Sequence, residues 1–493
     1  MTRSGRHLAL LLALVLTAAM RVPSLDLPLD RDEGEYATLA QQWPHGALPY
    51  RDLLEQKPPL VPLLYRAALG AGADVVGSVR RMAMVWQLAT AACLFLLMRA
   101  LAGDGAAFAA TALWAVASSG TRIQGLTANT EAFVTLPVAA AMLLLARRDR
   151  SPDVAAAAPR PVARATVAAL LAGVLVGVAS LAKQPAILAL APLQFLGPGG
   201  LRERIRTLLA TVVGAALPWL GVLAYFTGRG AGGSAVFCLL SYNLAYAGLG
   251  AAGWADRAVG MTRMVLPEQG TLWALAALGA LRARTSRSAV PLLVWAAAAV
   301  GFVAGSGRFY PHYFVVTVAP LACLAGLWLG ESPNSTRTPA VLRFAACFLA
   351  VIAVSRTSWG AWTAASPEER SVRIFGIPNF ALAGEVAATV ESVDPAGRTL
   401  WIWGAEPELY ALTRRRPANR FLFHYPFTGD APPWPGGAEE VAASLAAPTT
   451  RVAVVADRVD SGPAPGREIA DTLGREFSPV YRKGPFVVLL RRR

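Results

Sequence analysis

Residues 7–25 read HLALLLALVLTAAMRVPSL, and residues 29–36 read Leu29-Asp30-Arg31-Asp32-Glu33-Gly34-Glu35-Tyr36. The first stretch is an apolar run, and the second places four carboxylates and one arginine within six residues shortly after it. Ionisable side chains beside a bilayer are costly, so they usually serve a function. The two stretches together predict a membrane helix that leads into a functional polar loop.

The composition is that of a membrane protein. Of 493 residues, 55% are hydrophobic and only 16% are charged, whereas a soluble domain carries about 25% charged residues. Residues 58–72 are too short to span a bilayer and predict a re-entrant or interfacial helix. We predict a polytopic α-helical membrane protein with about 11 transmembrane helices, at 7–25, 79–101, 105–121, 129–146, 163–182, 185–198, 207–227, 270–282, 288–305, 313–330 and 340–356.

The net charge of +15 fits a membrane topology and does not require a nucleic-acid partner. Arginines concentrate in every second loop, as expected for the cytoplasmic side of a membrane protein. High alanine and arginine content with few lysines is typical of a bacterial genome rich in G and C, which predicts the bacterial inner membrane. If Arg3 and Arg6 are cytoplasmic, the other cytoplasmic arginines lie near residues 99, 147–164, 202–206, 282–287 and 337–343.

The opposite, extracytoplasmic face collects the remaining polar motifs, including a loop predicted for residues 228–269. The four cysteines lie in apolar runs without metal-ligand spacing, which predicts buried thiols. Six polar motifs on one face predict a catalytic face. They are the Asp32 cluster, Lys57-Pro58-Pro59, Arg122 to Glu131, Lys183-Gln184-Pro185, the 228–269 loop and Arg308 to Tyr313.

The long apolar runs end near residue 357, and shorter apolar and amphipathic segments follow. We predict a transmembrane catalytic domain over 1–356, whose first extracytoplasmic loop (26–78) carries the acidic motif, and a small extracytoplasmic α/β domain over 357–493. Short apolar strands are predicted at 399–403, 452–456 and 486–490, and amphipathic helices at 382–393, 438–445 and 468–476.

These polar residues suit the transfer of a sugar from a lipid-phosphate donor. An acceptor hydroxyl needs a carboxylate to take its proton, and the departing phosphate needs cations. Asp32 and Glu33 supply carboxylates, and Lys57, Arg308 and His312 supply cations. Structural roles stay open for several of the polar residues. Asp30 or Asp32 could cap a helix, and Asn129 could cap the helix that has Glu131 in its first turn. Lys57 and Lys183 could be interfacial lysines. Arg80 and Arg81 are interpreted as interfacial anchors or lipid-phosphate contacts.

Three stretches of the first loop carry a family resemblance. Leu29 to Ala37, Leu48-Pro49-Tyr50-Arg51-Asp52 and Gln56-Lys57-Pro58-Pro59-Leu60 resemble the first extracytoplasmic loop of bacterial GT-C membrane glycosyltransferases. The resemblance is to the protein O-mannosyltransferase-like group, which includes the aminoarabinose and galacturonosyl transferases. It spans about residues 1–425 and includes Gly307 to Tyr313 and Trp403 to Tyr410.

The resemblance implies an inverting glycosyltransferase that uses a polyprenyl-phosphate-linked sugar donor at the extracytoplasmic face. Asp32 would be the catalytic carboxylate, Glu33 its support and Lys57 the partner of the donor phosphate. Glu131, Lys183, Arg308 and His312 complete the expected substrate-binding set. This chain has Asp30 as well as Asp32. Asp32 is taken as the base because Asp32-Glu33 aligns with the Asp-Glu pair of the family.

The acceptor would be a lipid, a protein or a polysaccharide, and membrane lipid would surround the helices. No cofactor is required by the sequence, although some GT-C enzymes use a divalent cation. Two other functions stay open at this point. They are a transporter or flippase for polyprenyl-linked sugars, and a non-catalytic glycan-binding membrane scaffold.

Overall fold

A computed structural model describes most of the chain. The described residues are 2–72, 74–146, 162–196, 200–281, 288–330, 339–459 and 465–492. Much of the predicted arginine-rich loops, at 147–161, 282–287 and 331–338, lies outside the described residues.

Helices make up the first three quarters of the chain. Short 3₁₀ segments connect several of them, including Thr130–Phe133, Gln184–Ala189 and Pro311–Phe314. The α-helices are α1 Arg3–Arg21, α2 Arg31–Gln42, α3 Leu60–Gly70, α4 Val75–Ala102, α5 Asp104–Ala117, α6 Thr135–Ala146, α7 Val162–Ser180, α8 Leu190–Leu193, α9 Leu201–Gly228, α10 Gly232–Val236, α11 Asn243–Leu249, α12 Trp254–Ala280, α13 Ala289–Ala304, α14 Val315–Leu329 and α15 Ala340–Trp362.

The number of helices that are long enough to cross a membrane is smaller than the number of apolar runs in the sequence. Within the described residues, six helical segments are long and apolar enough to cross a bilayer, or seven if the pair Gly232–Leu249 and Trp254–Ala280 counts as one bent span. The predicted runs at 105–121, 129–146, 185–198 and 288–305 form shorter apolar helices. The chain is therefore a multi-pass membrane protein, and the count of eleven spans stays a prediction.

The prediction of a loop over 228–269 is wrong. These residues form α10, α11 and the first half of α12, joined by a π-helical stretch at Phe237–Tyr242 and an 85° bend. Val236, Leu240 and Leu244 are exposed, whereas Tyr242 is buried. Polar and glycine residues interrupt the apolar pattern, which is why the sequence reads as a loop.

Small residues allow the membrane helices to pack closely. Helices α7 and α9 approach so nearly that a Cβ at Gly214 would overlap the Leu170 carbonyl. Association through small side chains is usual for helices in lipid, where apolar burial between helices offers little driving force. One buried apolar cluster includes residues from Ala9 to Val354 and also Ala411.

The last part of the chain is the expected small α/β domain. Its elements are α16 Pro367–Phe375, α17 Asn379–Val393, β1 Thr399–Trp403, α18 Glu408–Thr413, β2 Arg416–Pro417, α19 Tyr425–Thr428, α20 Gly437–Ala446, β3 Val452–Val455, α21 Gly466–Glu476, β4 Phe477–Lys483 and β5 Phe486–Arg491. The sheet has the order β2-β1-β3-β5-β4, with β1 parallel to β2 and β3, and β5 antiparallel to β3 and β4. The three predicted strands are confirmed, and β2 and β4 were not predicted.

This α/β domain shares its core with the first loop. Leu39 and Leu53 pack with the apolar residues on one face of the sheet, and the Leu54 N–H donates to the Arg420 carbonyl at 2.8 Å. The expected boundary at 356/357 falls inside α15, which continues to Trp362. The two parts of the chain are therefore packed into one body around residues 31–57.

Candidate active site

The acidic motif forms the start of helix α2. Asp30 is the N-cap: its carboxylate accepts from the Glu33 N–H, and the Glu33 carboxylate accepts from the Asp30 N–H, both at 2.9 Å. This reciprocal capping box satisfies two donors that a helix start otherwise leaves unpaired. The Asn129 side chain donates to Asp30 at 3.0 Å, so it braces the cap instead of capping its own helix. Asp32 is thereby held in the first turn.

Glu33 is fully buried and anchors α2 to the membrane helices. Arg80 on α4 donates to it at 2.7 Å, and the Ala128 N–H donates at 2.5 Å. Arg80 is 1% exposed, so it is neither an interfacial anchor nor a contact for lipid phosphate. Glu33 has no contact with Asp32 among those described, and the support it gives to Asp32 is through the helix.

Asp32 and Glu35 lie one helical turn apart and both face Lys57. The Lys57 Nζ lies 3.2 Å from Asp32 Oδ1 and 2.7 Å from Glu35 Oε2. Burial alone would raise the pKa of Asp32, but Lys57 and other nearby cations outweigh burial and lower the pKa to about 2. Burial, followed by the charge of Glu55, raises the pKa of Glu35 well above its ordinary value. Asp32 is therefore the ionised carboxylate of the pair.

The turn before α3 fixes the position of Lys57. One oxygen of Glu55 accepts from the N–H groups of Gln56 and Lys57, each at 2.7 Å. The Tyr50 hydroxyl donates to the Lys57 carbonyl at 3.0 Å, and the ammonium lies 4.8 Å from the centre of the Tyr36 ring. Burial lowers the pKa of Lys57, but the surrounding carboxylates reverse this and raise it well above its ordinary value. Lys57 is a permanent cation.

His312 approaches Asp32 from the opposite wall. Its Nε2 lies 3.9 Å from Asp32 Oδ2, and its Nδ1 lies 3.2 Å from Gln124 Oε1. The imidazole stacks on Tyr310 with centroids 5.8 Å apart and meets the edge of Tyr313 at 4.9 Å. The ring is thus held on three sides, with Nε2 directed at Asp32.

Lys183 and Glu131 form a second ion pair beside this group. Lys183 Nζ bonds to Glu131 Oε1 and lies 3.6 Å from the centre of the Tyr313 ring. Glu131 is 1% exposed and does not line the cavity, whereas Lys183 does. The structure therefore brings Asp32, Lys57 and Lys183 together, with Glu131 behind Lys183.

Arg308 lies at the edge of the site. Its guanidinium stacks over Tyr246 at 4.3 Å from the ring centre and donates to the Asp430 carbonyl at 3.1 Å. It is absent from the cavity lining. In this conformation Arg308 joins the membrane part to the α/β domain and has no contact with Asp32 or Lys57 among those described.

A cavity of about 330 Å³ opens in front of Asp32. Both parts of the chain contribute to its walls, and the polar groups lie mainly on the membrane side. Its lining comprises Asp30, Arg31, Asp32, Glu35, Leu54, Glu55, Gln56, Lys57, Gln124, Asn129, Lys183, Tyr242, Tyr246, Tyr310, Pro311, His312, Tyr313, Phe375, Ile377, Phe380, Leu422, Phe423, Tyr425, Pro426 and Ala431.

The α/β domain supplies an aromatic wall that the sequence did not predict. Phe423 and Tyr425 are stacked with centroids 5.3 Å apart, and the Arg31 guanidinium donates to the Tyr425 hydroxyl at 2.6 Å. Arg31 also lies 5.6 Å from the centre of the Phe380 ring. Aromatic faces beside a charged donor are common in pockets that bind small polar ligands. No local motif marks these residues, so only the folded chain reveals them.

The residues described provide no metal-binding cluster. No group of three or more His, Cys, Asp or Glu side chains has the geometry to hold a metal ion in these parts of the chain. None of the four cysteines is in a disulfide, and three of them are buried. The divalent cation left open by the sequence stays untested.

The chain matches no family model, and no curated protein matches it. Solved structures do match. ArnT from Cupriavidus metallidurans bound to undecaprenyl phosphate has a TM-score of 0.62 at 16% identity, over 99% of this chain and 98% of that one. The oligosaccharyltransferase from Archaeoglobus fulgidus in the apo form has a TM-score of 0.53 at 13% identity, over 93% and 70%.

A third neighbour is the mycobacterial arabinofuranosyltransferase AftD, with a TM-score of 0.55 at 14% identity, over 100% of this chain and 40% of that one. All three neighbours are membrane glycosyltransferases of the GT-C type. The expected fold is confirmed: this chain has the GT-C fold, with a small α/β domain at its C-terminal end.

Proposed function

We propose that the protein is an inverting membrane glycosyltransferase that moves a sugar from a polyprenyl-phosphate-linked donor to an acceptor hydroxyl. One observation carries the proposal: Asp32 and Lys57 form an ion pair at 3.2 Å in the wall of the cavity of a GT-C fold. A carboxylate and a cation at this separation can act on the attacking and the leaving group of one displacement. The carboxylate takes the proton of the attacking hydroxyl, and the cation binds the leaving phosphate.

Asp32 would accept the proton of the attacking hydroxyl. The hydroxyl oxygen bonds to the anomeric carbon as the bond from that carbon to the phosphate oxygen breaks, and the electron pair leaves with the phosphate. A single displacement inverts the anomeric centre. Asp32 is ionised at neutral pH, because its pKa is about 2.

Lys57 would bind the donor phosphate and, in doing so, activate Asp32. In the free site Lys57 contacts both carboxyl groups and neutralises the ionised one, Asp32. A phosphate that engages the same ammonium weakens its hold on Asp32, and the carboxylate becomes a stronger base. Donor binding and base activation would thus be coupled through one side chain.

The other predicted residues have supporting roles in this proposal. Lys183, held by Glu131, adds positive charge to the cavity wall. Glu33 fixes α2 through Arg80, and Arg308 holds the α/β domain over the cavity through Asp430. Contact of Arg308 with a substrate would require it to leave Tyr246.

The donor class is argued from the neighbours together with the charge of the site. The Cupriavidus structure contains undecaprenyl phosphate, and one Archaeoglobus structure contains a dolichol-phosphate. A lipid-linked phosphate suits a cation at a cavity beside membrane helices. The acceptor in this proposal is a lipid, protein or polysaccharide hydroxyl, and the positive-inside pattern supports a site on the extracytoplasmic face of a bacterial inner membrane.

The proposal is tested by supplying the purified protein in proteoliposomes with a panel of polyprenyl-phosphate sugars, and measuring the release of polyprenyl phosphate by mass spectrometry. We expect release from at least one donor, accelerated by cell-envelope lipid or glycan fractions. Movement of an intact donor across the bilayer without release would instead indicate a flippase. Binding without release or movement would indicate a scaffold.

A further inference from the structure

The turn that follows α5 is held more tightly than an ordinary loop. Its carbonyls at Ser118 and Gly125 accept hydrogen bonds from the buried Arg21 side chain. From the other side, the Glu268 carboxylate accepts from the Arg122 N–H at 3.1 Å. Two charged side chains from two separate membrane helices therefore clamp residues 118–125.

Gln124 lies within this clamped turn in an unusual backbone conformation. Its φ is 52°, in the left-handed region that few residues other than glycine adopt. Such a conformation persists only when the surrounding structure imposes it. Its consequence is that the Gln124 side chain lines the cavity and its Oε1 reaches His312 Nδ1.

An amide oxygen only accepts hydrogen bonds, so this contact is a hydrogen bond when the proton of a neutral His312 is on Nδ1. The lone pair of Nε2 then faces Asp32 Oδ2 at 3.9 Å. This separation is longer than the roughly 2.6–3.2 Å of a proton-transfer contact, and such contacts tighten when the substrate binds. The other charged groups around the imidazole are Lys57, Lys183 and Glu131.

The transfer reaction itself creates a proton that needs an acceptor. A donor phosphodiester carries one negative charge, and the released monoester carries up to two, so one proton is lost by the attacking hydroxyl for each sugar transferred. Asp32 can take this proton during the displacement. It loses the proton again once the phosphate has left, because Lys57 then returns to Asp32 and favours the ionised carboxylate.

We infer that His312 receives the transferred proton from Asp32 at Nε2, and that Gln124 is the positioning residue that fixes the tautomer required for this step. The inference rests on the proposed function and extends it. The hydroxyl proton moves to Asp32, then to His312, and finally from the imidazolium to water. No oxidant, reductant or further co-reactant is needed.

Two substitutions of Gln124 separate this role from a merely structural one. Gln124→Glu places a carboxylate beside Nδ1, which favours the imidazolium. Because His312 must be neutral to receive the proton, the acid limb of the pH profile of kcat should move up by about 1 pH unit. Gln124→Leu removes the partner, and kcat should fall by about tenfold, the equivalent of one hydrogen bond. The donor KM should change little in both variants.

The matched control is Gln194→Leu, which removes a partly buried amide that bonds only Leu190 and Thr211 among the contacts described. It should leave both kcat and the acid limb unchanged. His312→Gln should lower kcat by about 10²-fold and recover part of the loss with added imidazole. An unmoved acid limb in folded Gln124→Glu, or a wild-type kcat in His312→Gln, would overturn the inference.

A readout independent of turnover is the ¹⁵N spectrum of the four histidines. The His312 signal, assigned by its loss in His312→Gln, should show the Nδ1–H tautomer in the wild type and shift toward Nε2–H in Gln124→Leu. If the wild type shows Nε2–H, the inference fails whether or not the protein consumes donor. If the tautomer is as expected but no donor is consumed, the proposed function fails instead.

Discussion

Asp32 and Glu33 are neighbours in sequence with different surroundings. Successive residues of a helix point about 100° apart, so one side chain faces the cavity while the other is buried against Arg80. The Asp-x-x-Glu spacing of Asp30 and Glu33 is a capping-box pattern that the sequence already displays. The partner of Glu33 lies on another helix, and its position depends on tertiary packing.

Lys57 is predicted to act mainly on the donor. In Lys57→Ala the donor KM should rise by about 10- to 100-fold, since a hydrogen bond to a charged group contributes about 1.5–3 kcal/mol. Folding should survive, because burial already favours the protonated form of Glu35, which loses its partner. Steady-state kinetics at varied donor concentration measure the change.

Lys483→Ala is the control for this change, because Lys483 is half exposed and pairs with Glu385 in the α/β domain. Its donor KM should equal that of the wild type. A Lys57→Ala enzyme with an unchanged donor KM would remove Lys57 from the donor site.

Glu408 offers a prediction about stability. It is fully buried, neither carboxylate oxygen has a hydrogen-bond partner among the described residues, and burial raises its pKa well above the ordinary value of 4.5. The folded state therefore holds this proton more tightly than the unfolded state, so stability falls as pH rises above about 4.5. Glu408→Gln has no carboxyl proton to lose at this position, so this decrease in stability with pH should be absent from the variant.

The apparent Tm of Glu408→Gln should equal that of the wild type near pH 4 and exceed it at pH 8. A relief of 1 kcal/mol moves the Tm of a large domain by about 2–4 °C. The exposed Glu439→Gln serves as the comparison and should show no such divergence. A Tm difference that is constant with pH would mean that Glu408 is not the titrating group.

At the scale of elements, α2 is the piece on which both halves of the chain converge. Its buried face meets α18 at Gly34, where a Cβ would overlap the Glu408 backbone. The Thr38 hydroxyl bonds to the Pro407 carbonyl at 3.1 Å one turn later. The helix that presents Asp32 is therefore held in position by the α/β domain.

Gly34→Ala is predicted to force α2 away from α18. The expected cost is about 1–3 kcal/mol, as for other overpacked sites, together with a loss of donor consumption because Asp32 moves with the helix. Thermal unfolding and donor release measure the two effects. Gly384→Ala, in α17 with open space around it, should be neutral or slightly stabilising. Equal behaviour of the two variants would contradict the packing argument.

Elements with a clear pattern could be predicted from the sequence. Strand β1 is a continuous apolar run, and α21 alternates polar and apolar residues at the helical period, so both were recognised. Strand β4 was not, since it carries Pro479 and exposed charged residues as the edge strand of the sheet. Helices α10 and α11 were missed because glycines and polar residues there resemble a loop.

At the scale of the whole molecule, the cavity is made by two regions that are far apart in sequence. Asp32, Lys57, Lys183 and His312 could be assigned to one face by counting helices, because topology places alternate loops together. Phe423 and Tyr425 could not, since no periodicity relates residues 31–57 to the α/β domain. The charged side of the cavity was thus predictable from the sequence, whereas its aromatic side could be recognised only in the folded chain.

The shared core predicts that the two parts of the chain stay together after cleavage. A protease site introduced in the exposed turn at 363–366 should yield two fragments that co-elute in detergent, because Leu39 and Leu53 remain packed in the α/β domain. Size-exclusion chromatography reports the outcome, and the fragments should separate only on denaturation. Fragments that elute apart from the native protein would show an independent domain.

The central claim concerns Asp32, and the release of polyprenyl phosphate by Asp32→Asn tests it most directly. Asn cannot accept the hydroxyl proton, so release should fall by about 10²- to 10⁴-fold while thermal stability and the elution profile are kept. Asp52→Asn, which alters a first-loop carboxylate outside the cavity lining, should release polyprenyl phosphate at the wild-type rate. Release by folded Asp32→Asn at a rate near that of the wild type would contradict the account.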